Sequence, residues 1–209
     1  MSTYASALTD TDITPAESVD YIARLFPSIM RIGDDSLRER VAAVWLDAMR
    51  LGNDGRGWTA SQVRSLPMTL LAGRQPLLFV EHLNSCATQC LAIADVLTAQ
   101  FGSRVTIDVD VLLCGALCAD VGKLLEYEID EDGTIRQGTL GAMLRHPFTG
   151  VALCHARGLP TEVLHIVAAH SHEGDRVARS IECIIFHHAD FIDFDIARHL
   201  GNVAARSGS

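Results

Sequence analysis

The sequence predicts an all-α fold, a helical bundle carrying one small β-hairpin. Three observations predict it. Apolar residues recur at helical spacing in at least six stretches, period-two alternation is confined to one short segment around Asp132-Gly133, and hydrophobic residues make up 48% of the chain against 21% charged, enough to fill a substantial core.

In chain order, residues 1–13 are rich in Ser, Thr and Asp and read as a loose N-terminus. Pro15 to Phe26 reads as a short helix stopped by Pro27. A stronger helix is expected from Asp35 to Leu51, with Leu37, Val41, Val44, Trp45 and Met49 on one face and Asp34/Asp35 in the capping position. Gly52-Asn-Asp-Gly-Arg-Gly57 is a turn cluster. Trp58 to Gln75 is less regular, with one short helix before Pro67, and its Trp58–Pro67 part is a candidate lid or dimer contact. From Pro76 the pattern tightens: Phe79, Leu83, Cys86, Cys90, Ala94 and Leu97 mark a helix ending near Phe101-Gly102. One further helix is expected over Val109–Lys123, then a hairpin over Glu126–Arg136 turning at Asp132-Gly133. Helices starting at Pro147 and Pro160 lead to a loop at His170–Gly174. A long helix from Ala178 to Leu200 closes the pattern.

The chain's 209 residues suit one domain with an extra helical arm. No apolar run approaches the roughly 18 residues a membrane span needs, and the first residues lack a signal-peptide pattern. A soluble cytoplasmic protein is the expectation. Net charge is −9, which disfavours non-specific nucleic-acid binding; a small-molecule substrate and a possible homodimer are the expected partners. Cys86/Cys90 and Cys114/Cys118 sit four apart in apolar helical stretches and read as buried reduced thiols. Sixteen of the seventeen basic residues are arginine, and the lone lysine is Lys123.

Ligand-type residues stand at long intervals on helix faces and helix ends: His82, Asp120, His146, His170, His172 and Asp190. Imidazole with carboxylate suits Fe, Mn, Co, Ni or Zn, so one or two divalent transition metal ions are the expected cofactor. A helical bundle can converge such residues on one cavity.

The run Leu117-Cys-Ala-Asp-Val-Gly-Lys123 resembles the Leu-x-His-Asp-x-Gly-Lys signature of the HD-domain superfamily of metal-dependent phosphohydrolases and their relatives. Other landmarks follow in the family's order. His82 lies on the preceding helix; Arg145-His146-Pro147 resembles the segment with an extra histidine in two-metal members; Ala168-Ala-His-Ser-His-Glu-Gly174 resembles the paired-histidine loop. His188-Ala-Asp190 resembles the C-terminal helix whose aspartate closes the site, with Asp193 and Asp195 as competitors for that part. The hairpin and Gly138–His146 resemble HD-type 3′-to-5′ exoribonucleases in particular. The resemblance covers about residues 78–198 and implies an HD-domain-like helical bundle over 78–200, with 1–77 as an N-terminal helical arm and 201–209 as a flexible tail.

It also implies roles. Asp120 would ligate or bridge metal, with His82, His146, His170 or His172, and Asp190 as further ligands. Asp120 and Lys123 would be catalytic, Lys123 as a clamp on a developing anion. Lys123, Glu126, Arg145 and Arg176 are candidate substrate contacts. One departure matters: Ala119 stands where the family has the histidine of His-Asp. A substitution introduced into the chain, a protein working with one well-held metal, and a non-catalytic ligand-binding member are the three readings. The expected function is hydrolysis of a small phosphorylated or nucleotide-like substrate through a metal-activated water. The alternative is a di-iron oxygenase acting on a small polar molecule.

Overall fold

A computed structural model describes residues 14–72 and 76–207. The N-terminal stretch 1–13, expected to be loose, lies outside the described residues, as do 73–75 in the irregular segment. The helices are α1 (Pro15–Ala23), α2 (Asp35–Leu51), α3 (Ala60–Ser65), α4 (Phe79–Phe101), α5 (Val109–Cys118), α6 (Lys123–Glu126), α7 (Thr139–Met143), α8 (His146–Ala156), α9 (Thr161–Ala169) and α10 (Ile181–Ser207). Strands β1 (Tyr127–Ile129) and β2 (Ile135–Gln137) pair antiparallel, Tyr127 opposite Gln137. The all-α class with one hairpin is what the sequence predicts.

Helix α5 is the axis of the bundle. From Val111 to Cys118 every residue is buried, and α2, α4, α9 and α10 pack around it. A helix apolar on all sides has no face to give to water, so it must be enclosed. Gly115 permits the closest approach, since a methyl there would lie 2.4 Å from the Ile166 side chain on α9. The caps are local. Asp108 accepts from Val111 N–H at the start of α5, Thr14 and Glu17 form a capping box on α1, and Thr59 and Gln62 form one on α3.

The helix expected to run from Val109 to Lys123 stops at Cys118. Successive i→i+3 bonds follow, from Val121 N–H to Cys118 O, Lys123 N–H to Asp120 O and Leu124 N–H to Val121 O. Two features seat this tightened segment. The Trp45 indole donates to Leu117 O at 3.0 Å and the Trp58 indole to Leu124 O at 2.7 Å, satisfying carbonyls that a continuous helix would use itself. At Gly122 the first turn of α8 comes so close that a methyl would lie 2.2 Å from His146 O. The last helix also differs from expectation. It begins at Ile181, where Ser180 Oγ accepts from Cys183 N–H, and runs past Leu200 to Ser207. No helix among the described residues is long and apolar enough to cross a membrane.

Candidate metal centre

The tight turn after α5 points Asp120 inward, 1% exposed, to the point where α4, α8, α9 and α10 bring their histidines and acids. Its two oxygens face different neighbours. Oδ1 lies 3.2 Å from His146 Nε2 and 3.8 Å from His170 Nε2, and those two nitrogens are 3.3 Å apart. Oδ2 lies 2.8 Å from Lys123 Nζ and 3.2 Å from His82 Nε2. His82 Nε2 is also 3.1 Å from Asp190 Oδ1, and its Nδ1 is 3.1 Å from Asp193 Oδ2.

The Oδ1 side has the chemistry of a metal site. His170 Nδ1 lies 2.9 Å from Val167 O, and a carbonyl only accepts, so the ring proton sits on Nδ1. His146 Nδ1 lies 3.1 Å from Glu126 Oε2, which fixes its proton in the same way. Burial lowers the His146 pKa despite the Glu126 carboxylate, so this ring stays neutral with a bare Nε2. Burial opposes charge on Asp120 as well, yet Lys123, His170, His82 and His146 hold its carboxyl well below the usual range. Two imidazole lone pairs and a carboxylate oxygen thus converge, all buried, with atoms close enough to share one cation. A divalent transition metal fits this nitrogen–oxygen donor set. Burial opposes charge on His170 too, but Asp120 and Asp190 raise its pKa, so a proton and a metal ion would compete for its Nε2.

Around the Oδ2 side His82, Cys86 and Asp190 also bring potential ligand atoms close together, but the groups there are paired with one another. Asp193 is held by Gln89 Nε2 at 2.9 Å and Ser85 Oγ at 3.3 Å. Burial opposes charge on His82, but hydrogen bonds to Asp120, Asp190 and Asp193 raise its pKa well above the ordinary value. Lys123 is buried, donates also to Met68 O at 3.1 Å, and is held above the usual lysine range by Asp120.

The cluster forms the floor of a cavity of about 120 Å³. Met68, Leu70, Leu71, Phe191 and Phe194 supply an apolar wall; Gln137, Tyr127 and Arg145 add polar groups. Burial raises the Tyr127 hydroxyl to about 12, so it remains a neutral phenol. Arg145 lies near Glu126 and Glu173, at 3.6 and 3.9 Å, and its buried Nε has no hydrogen-bond partner among the described residues.

Of the residues singled out from sequence, the structure brings His82, Asp120, Lys123, Glu126, Arg145, His146, His170 and Asp190 together. His172 is not drawn into the ligand cluster: it stands at the cavity rim, its side chain 76% exposed, with Nδ1 on Asp175 at 3.2 Å. The reason is that α9 ends at Ala169, so His170 still follows the helix inward while His172 opens the next, outward turn. Arg176 is exposed and lines no part of the cavity. Glu126, expected as a substrate contact, is turned to His146, accepting its backbone N–H at 3.2 Å as well as facing its ring. Asp193 does not replace Asp190; both reach His82 from α10, three residues apart on one face. The apolar wall from Met68 to Leu71 was not legible, because it lies in the irregular segment and carries no ligand-type residue.

Fold and site together define an all-helical protein with a buried histidine–carboxylate cluster, whose donors fit a metal ion, opening into a small pocket. The HD domain family matches residues 79–195, more than half of the chain. Over 177 residues, 83% of this chain and 69% of the relative, the sequence is 33% identical to a dihydroneopterin 2′,3′-cyclic phosphate phosphodiesterase of Methanocaldococcus jannaschii. No solved structure matches the chain. The chain belongs to the HD-domain family.

Proposed function

We propose that this protein is a metal-dependent phosphohydrolase that opens a phosphodiester, of the 2′,3′-cyclic class, in a small molecule bearing a flat ring. The observation that carries the reading is the buried Asp120 Oδ1–His146–His170 cluster at the floor of a pocket with an apolar wall, lined also by the cations Lys123 and Arg145 beside the acids Glu126 and Asp190. The relative's named activity on a cyclic phosphate ester supports the same chemistry.

Asp120, His146 and His170 would hold a divalent ion, which when bound would supply Lewis acidity and a water of lowered pKa. The protein's residues do the rest. Glu126 and Val167 O hold the two imidazoles in the tautomer that presents Nε2. Lys123, fixed by Asp120 and Met68 O, sets a buried positive charge beside the reacting phosphoryl group and stabilises the charge that grows on its oxygens. Arg145 offers the free Nε–H to a non-bridging oxygen. Phe191, Phe194, Leu70 and Leu71 bind the ring by apolar contact and exclude water from the charged floor. Water adds to phosphorus, one P–O ester bond breaks, and the departing oxygen takes a proton, giving a phosphomonoester and a free hydroxyl.

The test is hydrolysis of 2′,3′-cyclic nucleoside monophosphates by Mn²⁺-loaded protein, with a linear phosphodiester as comparison. The expected result is metal-dependent conversion to the monoester, faster for the cyclic substrates. Absence of phosphate-ester cleavage by metal-loaded protein, or oxygen consumption by the iron-loaded form with no cleavage, contradicts the reading.

A further inference from the structure

Asp120 divides its oxygens between two different kinds of neighbour, and that division bears on Ala119. The Oδ1 side meets the Nε2 atoms of two imidazoles whose Nδ1 atoms are turned to Glu126 and Val167 O. The Oδ2 side meets Lys123 Nζ at 2.8 Å, a cation already within contact distance. On that side both nitrogens of His82 are also engaged, Nε2 with Asp120 and Asp190 and Nδ1 with Asp193, which Gln89 and Ser85 anchor in turn. Ala119, fully buried beside Asp120, offers only a methyl.

We propose that this protein holds a single metal ion, on the Asp120 Oδ1–His146–His170 side, and that Lys123 with His82 takes the place of a second ion on the Oδ2 side. A metal on Oδ2 would have to displace the ammonium from a buried carboxylate, and the ammonium would then be left without its acid. It would also have one ligand fewer than an imidazole at position 119 provides. Among the described residues no ammonium or guanidinium pairs with Oδ1, which faces only the two imidazoles. The inference deepens the hydrolase reading and rests on it only for what the ion does.

Metal content and calorimetric Mn²⁺ titration of the full chain decide it, with folding of each variant checked by circular dichroism. The expected stoichiometry is one ion per chain. His146→Ala and His170→Ala each weaken binding by about 100-fold or more, whereas His82→Ala keeps the one ion. Ala119→His, which restores the missing imidazole, raises the count toward two. Two ions in the unaltered protein overturn the proposal, as does an ion kept by His146→Ala and lost by His82→Ala. A folded Ala119→His variant that stays at one ion overturns the role given to position 119. If Ala119→His does not fold, the His82 and His146 variants still decide which side binds. Two ions with phosphodiester cleavage intact defeat this inference alone; one ion without cleavage defeats the proposed reaction alone.

Discussion

The behaviour of the site turns on where individual protons sit. His146 and His170 are useful as ligands because Glu126 and the Val167 carbonyl take their Nδ1 protons. Removing the charge of Glu126 while keeping its shape tests this directly. Glu126→Gln should weaken Mn²⁺ binding by about 10- to 100-fold, read by calorimetry, with the fold unchanged by circular dichroism. His172→Ala, at the exposed rim, should leave metal affinity unchanged in the same titration. At this scale the candidate residues Asp120, His146 and Lys123 were legible through the resemblance of Leu117–Lys123 and the histidine segments to the HD signature, because residue type alone does not show which imidazoles are buried. The choice between His170 and His172 was not legible. It depends on the residue at which α9 stops, and a single residue there reverses which ring points inward. The sequence favoured Asp190 over Asp193 and Asp195, but the part played by Asp193 was not legible: two acids one turn apart on α10 share a face, and only the position of His82 shows that both reach it.

Helices are positioned by contacts that their own sequences do not announce. Val109–Lys123 has no proline and reads as one helix, yet it breaks at Cys118. The causes are distant in sequence: indoles from Trp45 and Trp58, and the start of α8 pressed against Gly122. That break turns Asp120 and Lys123 toward the histidines, so its tolerance is testable. Gly122 has an ordinary helical φ of −62°, and what it provides is space, not unusual backbone freedom. Gly122→Ala would set a methyl 2.2 Å from His146 O and 2.5 Å from Thr149 Oγ1. The expected cost is about 3 kcal/mol in urea denaturation, with metal binding weakened because His146 moves. A variant as stable as the parent, with metal binding intact, would contradict this view of the turn. Helix α10 shows the opposite case. Its apolar and ligand positions were readable, but its end was not, since Gly201 and Asn202 look like a stop signal and the helix passes through both.

Across the whole molecule, α5 is enclosed on all sides and the N-terminal helices pack onto the same core that carries the metal-centre helices. One charged clasp joins α2 to the end of α8: Arg157 donates to Asp47 through Nε at 2.6 Å and through its terminal nitrogen at 2.8 Å. Burial opposes charge on Asp47, but Arg157 and Arg50 outweigh it and lower its pKa. A carboxylate with a depressed folded pKa adds stability that is present in full above the unfolded value and is lost as pH falls through the folded one. Asp47→Asn should therefore lower the melting temperature at pH 7 and make progressively less difference from about pH 5 downward, vanishing once Asp47 itself is protonated. An equal deficit at neutral and strongly acid pH, in thermal melts of metal-free protein, would show that the clasp acts by packing alone. The all-α class was readable because helical spacing persists through most of the chain. The cavity was not, because its apolar wall joins Met68–Leu71 to Phe191 and Phe194, segments far apart in the sequence whose side chains look like ordinary core.

The central claim is that Asp120, His146 and His170 hold a metal ion at the floor of that cavity. The most direct measurement is an anomalous difference map from Mn²⁺-loaded crystals. The account predicts one strong peak bonded to Asp120 Oδ1 and to Nε2 of both histidines, facing the cavity. A map with no peak among these three residues, or with its strongest peak between His82 and Asp190, would contradict it.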